Sequence, residues 1–224
     1  MDWLPPQAST FAGEIDFMFW VDMAITGIAF VLVQVTLIWF LIRYRGRPGG
    51  RGHYTHGNKT AEIIWTTIPA VTMVVLGIWS NRVWAEIKDR DSMPTNAFEV
   101  ALTASQFEWN VTYPGPDGTL GNADDFTVRN QLHVPVDRPV LIQLSAEDVI
   151  HSFFVPEFRI KQDAVPGMII PVWFQATEVG EFEIGCAELC GLGHYRMRGI
   201  VTVHAGDDVD LWMSAHVAGG ESGE

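Results

Sequence analysis

The chain has 224 residues, enough for one well-packed domain plus extra elements. It is 48% hydrophobic yet carries a net charge of −13, so apolar and charged residues must be segregated along it. A field of that sign argues against nucleic acid and favours a basic partner.

Residues 1–16 contain no Lys or Arg and include Asp2, Glu14 and Asp16. A signal peptide needs a basic start, so these residues are expected to be an extracytoplasmic segment instead. Two apolar runs follow, FMFWVDMAITGIAFVLVQVTLIWFLI at 17–42 and AEIIWTTIPAVTMVVLGIWSNRVW at 61–84. Each has the roughly 20 apolar residues that a helix needs to cross a bilayer. Each also carries Trp near its ends, as interfacial belts do. Asp22, near one end of the first run, reads as interfacial. The intervening loop, 43–60, holds Arg43, Arg45, Arg47, Arg51 and Lys59 with no acid among them. Basic loops stay cytoplasmic, so residues 17–84 are expected to form a transmembrane hairpin with both chain ends outside.

From Arg82 onward there are 22 acidic and 9 basic residues, so the charge lies beyond the hairpin. Residues 85–96 read as a linker, 97–216 as a folded domain and 217–224 as a disordered Gly-rich tail. Short β-rich stretches such as FEVALTASQFEWNVTY, PVLIQLSAE, IIPVWFQATE and GIVTVHA fill the domain, with PGPDG and VPG as turn signals. That pattern predicts an all-β sandwich or Greek-key barrel.

Both cysteines, Cys186 and Cys190, lie in GCAELCGLGHYRM with His194 and Met197 close behind. A disulfide over so short a loop would add little stability. Zinc favours Cys and His but not a thioether. Thiolates, imidazoles and a Met together suit copper electron-transfer sites. Two cysteines at this spacing can bridge two copper ions, each of which then needs a histidine. His194 lies in the same loop, and His151 in EDVIHSFFVP is the best second candidate.

These stretches resemble subunit II of the haem-copper terminal oxidases, the cytochrome c oxidase family. The likeness covers roughly residues 17–205 and rests on AEIIWTTIPA, SAEDVIHSFFVPEFRIKQDAVPG and CAELCGLGHYRM. It implies a two-helix transmembrane hairpin followed by an all-β cupredoxin-like Greek-key barrel. It also implies a binuclear CuA centre held by His151, Cys186, Cys190, His194, Met197 and the backbone carbonyl of Glu188. The Glu188 side chain would reach a Mg or Mn ion shared with subunit I. Phe107 and Trp109 in QFEW, where relatives read Q-W-Y-W, would mark where electrons enter. Glu62, at the start of the second span, would mark a proton-channel entrance, although a carboxylate in a first helical turn is favoured anyway. No catalytic residue is expected in this chain. The haems would belong to the partner subunit, and the other partners would be the remaining oxidase subunits, the membrane, and cytochrome c or another small donor. The implied activity is electron acceptance from cytochrome c, for oxygen reduction and proton pumping in a bacterial plasma membrane. The alternatives are a CuA-bearing nitric oxide reductase subunit, which would share anchor and site, and a copper-binding assembly protein without redox turnover.

Overall fold

A chain segment that crosses lipid must satisfy its own backbone polar groups, and a helix does so. The two apolar runs obey this rule in the computed structural model, which describes residues 3–52 and 54–219. They form α1 (Ala12–Arg43) and α2 (Lys59–Lys88), of 32 and 30 residues. At about 1.5 Å per residue each exceeds the ~30 Å hydrocarbon core of a bilayer. Residues such as Val31, Leu32 and Val33 on α1, and Val74 and Val75 on α2, are exposed, as an all-round apolar helix requires. Asn58 caps α2, its Oδ1 accepting from the Thr60 and Ala61 amides at 3.1 Å each. Within the apolar stretch, the Thr72 hydroxyl donates to the Ile68 carbonyl at 2.9 Å. Glu14 and Glu62 lie in first turns and Arg43 and Lys88 in last turns, each complementing the helix dipole.

The chain divides into two compact units, Glu14–Glu86 and a second made of Met1–Gly13 with Ile87–Glu224. The expected linker is thus helical as far as Lys88, followed by a short 3₁₀ turn at Arg90–Ser92.

The second unit is all-β apart from its ends. Its strands are β1 (Phe98–Ser105), β2 (Glu108–Tyr113), β3 (Phe126–Arg129), β4 (Gln131–Pro135) and β5 (Pro139–Ala146), then β6 (His151–Val155), β7 (Ile160–Ala164), β8 (Ile170–Gln175), β9 (Gly180–Cys186) and β10 (Arg198–His204). They form two five-stranded sheets, ordered β3-β2-β1-β5-β8 and β4-β10-β9-β6-β7. Alternation along β1 and β5 turns Val100, Leu102, Ala104, Val140, Ile142 and Leu144 inward. They join Trp109, Phe153, Phe158, Ile184 and Val201 in one core between the sheets. The expected cupredoxin-like domain is therefore present as a two-sheet sandwich. β1–β5 and β4–β10 pair in parallel, and the remaining pairs are antiparallel.

Residues ahead of α1 belong to this sandwich, which sequence periodicity did not reveal. Ala8 and Ala12 are fully buried. The Ala8 amide donates to the Glu157 carbonyl, the Thr10 amide to Gln175, and the Thr177 amide back to Ala8, all at 3.0–3.1 Å. Arg159, in a left-handed conformation with φ 57°, donates to the Pro5 and Pro6 carbonyls.

At the other end α3 (Asp208–Gly219) runs into the stretch expected to be a disordered tail, while 220–224 lie outside the described residues. Its Trp212 stacks on the His133 ring at 3.8 Å between centroids and meets Tyr113 edge-on at 5.0 Å. His133 Nδ1 and His204 Nε2 are 2.8 Å apart, and His216 lies over Trp212 at 4.2 Å. Burial, then the neighbouring His204 and His216, push His133 from its ordinary 6.5 down to about 4. His204 is lowered as well by burial, against the pull of Asp208. The unfolded chain therefore takes up these protons before the folded one does. This contribution to stability is complete above pH ~6.5 and is lost as pH falls towards ~4. The thermal transition of the full chain, followed by near-UV circular dichroism, should move to lower temperature between pH 6.5 and 5. Replacing His133 by Gln should flatten that slope, and a slope that His133→Gln leaves unchanged would place the cause elsewhere.

Candidate metal centre

The site grows out of one strand pair. β6 and β9 run antiparallel with Phe153 opposite Cys186, so His151 begins one strand beside the end of the other. The Ala187 amide donates to the Ser152 carbonyl at 3.0 Å, and the Cys186 amide to the Met197 carbonyl at 3.3 Å. The chain between Cys186 and β10 is thus pinned at both ends, with His194 on a 3₁₀ turn, His194–Arg196, and Met197 closing it.

Six donor atoms converge there. Cys186 Sγ and Cys190 Sγ are 3.8 Å apart, and both thiols are free. His151 Nδ1 lies 3.2 Å from Met197 Sδ and 3.9 Å from Cys186 Sγ. Cys190 Sγ lies 3.6 Å from His194 Nδ1 and 3.7 Å from Met197 Sδ. The Glu188 carbonyl is 3.2 Å from Cys186 Sγ. Ligands bound at about 2.0–2.3 Å to a shared tetrahedral ion are about 3.3–3.8 Å apart, so this spacing fits metal ligation. Among the described residues, His151, Cys186 and Cys190 form the group whose ligand atoms all lie within 4.8 Å. The set of two sulfurs, two imidazoles, a thioether and a carbonyl is soft and suits copper better than zinc.

The site is buried on one side and open on the other. His151, Met197 and Cys190 are shielded, with Cys190 only 3% exposed. Cys186 and His194 are half-buried. Burial, and the Cys186 thiol beside it, push the Cys190 thiol up to about 11. Without a cation the Cys190 thiol stays protonated near neutrality, so the donor set suits a positive occupant. His151 turns its other nitrogen, Nε2, to Asp148 Oδ1 at 2.8 Å. Partial desolvation pushes the Asp148 carboxyl up. Hydrogen bonds from His151 and from the Val149 and Gln106 amides outweigh that and hold it below the usual carboxylate range.

The family described as "Cytochrome C oxidase subunit II, transmembrane domain" matches residues 2–83, and its "periplasmic domain" matches 104–204. The chain belongs to the cytochrome c oxidase subunit II family. It is 34% identical to cytochrome c oxidase subunit 2 of Thermostichus vulcanus, over 96% of this chain and 79% of that one. It is 32% identical to the alternative cytochrome c oxidase subunit 2 of Bradyrhizobium diazoefficiens, over 94% and 83%. Among solved structures it is similar to the periplasmic domain of subunit II of cytochrome oxidase from Bradyrhizobium japonicum. That match has 28% identity and a TM-score of 0.49, and covers 55% of this chain and 95% of that one. The match to the family's transmembrane domain makes this subunit II a membrane protein.

All five side chains expected to hold copper meet at this centre, with the Glu188 carbonyl. The exposed Glu188 side chain is not among the converging donors. Glu62 lies in the other unit, exposed in the first turn of α2. Phe107 and Trp109 differ in exposure. Trp109 is fully buried, packed edge-on to His151 at 6.3 Å between centroids. Phe107 is half-buried at the edge of the ligand loop, with the Arg196 guanidinium 6.0 Å from its ring centroid. Asp148 and the bridging by Gln106 escaped sequence reading. An acid three residues before a ligand histidine was the available signal.

Phe107 lies where glycines leave room. A Cβ at Gly193 would meet ring carbons of Phe107 at 2.5–2.7 Å. One at Gly191, whose φ is +134°, would meet Gln106 Nε2 at 2.7 Å. Gly193→Ala should therefore destabilise the folded subunit by about 1–3 kcal/mol in denaturant unfolding, as overpacking does. An unchanged midpoint would mean that the loop yields without cost.

Proposed function

We propose that this chain is the electron-accepting subunit of a cytochrome c oxidase, with two copper ions held between Cys186 and Cys190. The convergence of six soft or neutral donors on two strand ends and one loop supports this best. His151, His194, Met197 and the Glu188 carbonyl would hold the ions together with the two thiols. When bound, such a copper pair supplies a one-electron carrier.

The protein's own residues do the rest. His151, Met197 and Cys190 keep water from the inner side of the centre. Phe107, packed on Gly191 and Gly193, lies between the ligand loop and the surface where a donor would dock. The 22 acids against 9 bases from Arg82 onward would steer a basic cytochrome c to that surface. The exposed Glu188 carboxylate is a hard ligand for a Mg or Mn ion shared with subunit I. Glu62 would mark the mouth of a proton-uptake channel in subunit I. The haems, oxygen reduction to water and proton pumping would belong to the partner subunits.

Residues ahead of α1 and after α2 share one folded unit, which supports a hairpin with both ends on one side. The basic loop 43–60 favours the cytoplasm, so the copper domain would face the outside of a bacterial plasma membrane. Both relatives named above are oxidase subunits, which weighs against a nitric oxide reductase.

The full chain, loaded with copper in detergent, should be purple and bind two ions per chain. Its electron paramagnetic resonance should show one unpaired electron shared by two copper nuclei. Cys186→Ser and Cys190→Ser should each lose that signal. Met197→Leu should keep both ions and change the reduction potential, since a weak thioether ligand tunes more than it holds. A four-line mononuclear spectrum from the unaltered chain would sink the reading. In the assembled oxidase, Phe107→Ala should slow electron uptake from a basic cytochrome c with the copper spectrum intact. The unaltered rate should fall as salt shortens the Debye length to about 10 Å at 0.1 M. Unchanged rates in the variant would move the contact point away from Phe107.

A further inference from the structure

Asp148 sits outside the donor set, yet it touches two parts of the site. Its Oδ1 accepts from His151 Nε2 at 2.8 Å and from the Val149 amide at 2.7 Å. Its Oδ2 accepts from the Gln106 amide at 2.8 Å. Gln106 in turn donates through its side chain to the Cys190 carbonyl, and it precedes Phe107. One carboxylate therefore joins the β1–β2 turn, which carries the surface aromatic, to the first residue of β6.

The chemistry of the contact limits what His151 can do. A carboxylate only accepts, so Nε2 must carry the imidazole proton. Nδ1 is then left with its lone pair, pointing at Met197 Sδ and Cys186 Sγ. The ring is fully buried, so no water competes for either nitrogen. A histidine ligand held by a carboxylate through its far nitrogen is fixed in tautomer and orientation and is made more basic.

We propose that Asp148 is the positioning residue for His151: its carboxylate sets the ring's tautomer and direction before metal binds and lowers the potential of the bound centre. This rests on the copper reading above for its second half only. The first half holds in the metal-free chain and is tested there.

In the copper-free full chain, ¹⁵N resonances of labelled histidine should show His151 as a single Nε2–H tautomer. Asp148→Ala should give a mixture of tautomers. Asp148→Asn, whose amide oxygen still accepts, should keep the single form. With copper, Asp148→Ala should lose about 10- to 100-fold in affinity against a competing chelator. Asp148→Asn should bind within a few-fold of the unaltered chain, with the same spectrum but a higher reduction potential, because a negative charge opposing reduction is gone. Glu147→Gln removes the same charge one residue away and should move the potential less than Asp148→Asn does.

A mixed or Nδ1–H tautomer in the unaltered metal-free chain would overturn the proposal. So would an Asp148→Ala chain with unchanged tautomer, or a Glu147→Gln shift as large as that of Asp148→Asn. Failure of the unaltered chain to take up two coppers would defeat the copper reading and the claim on potential, while the tautomer result decides the positioning role by itself.

Discussion

The antiparallel pairing of β6 with β9 is the constraint on which the rest of the site depends. Because Phe153 faces Cys186, His151 and the Cys186 thiol are brought together by backbone hydrogen bonds and not by a flexible loop. Strands hold a ligand more tightly than loops do. The remaining donors sit on a segment too short to wander, since its two ends are bonded to each other through the Cys186 amide and the Met197 carbonyl. A slip of one residue between these strands would turn His151 to the opposite face of its sheet and dissolve the cluster. The apolar residues of the same strands, Phe153, Val155 and Ile184, resist such a slip because their burial depends on the same register.

Electrostatics then separates the two sides of the centre. The inner side is dry, and there an unpaired thiolate would be costly, so the Cys190 proton is held firmly until a cation replaces it. The outer side is open and lies in an acidic domain, where Asp148 remains ionised through three hydrogen bonds. Burial protects the ligands from solvent, while negative charge outside can attract a basic partner without entering the ligand set.

Much of this was legible in the sequence. Two predominantly apolar runs of membrane length announced α1 and α2. Cys186, Cys190, His194 and Met197 sit so close together that their convergence needed little knowledge of the fold. His151 lies 35 residues upstream of Cys186, and placing it required the family resemblance as well as its residue type. Other features were illegible because they depend on long-range geometry. Ala8 and Ser9 carry no periodic signal, yet they bond across the chain to Glu157 and Phe158. Helix α3 ends near a Gly-rich stretch that reads as tail, and it is held by Trp212 on His133, a contact no local pattern encodes. Trp109 lies in the core with Val111 and Tyr113, where alternation along β2 puts it.

The departure of QFEW from Q-W-Y-W becomes intelligible in the same terms. The first aromatic position needs a flat ring against two glycines, and its polar neighbours are already bonded elsewhere. The Gln106 amide and side chain are taken by Asp148 and the Cys190 carbonyl. A Phe at 107 fills the space that Gly191 and Gly193 leave without requiring a hydrogen-bond partner, which an indole N–H in a half-buried setting would need. Glu108, the second departure, pairs with Arg129 on the neighbouring strand at 3.1 Å, so its charge is partnered at the sheet surface and directed away from the ligands. That exposed ion pair adds little stability. The packing on Gly191 and Gly193 is what holds the aromatic of this turn against the ligand loop.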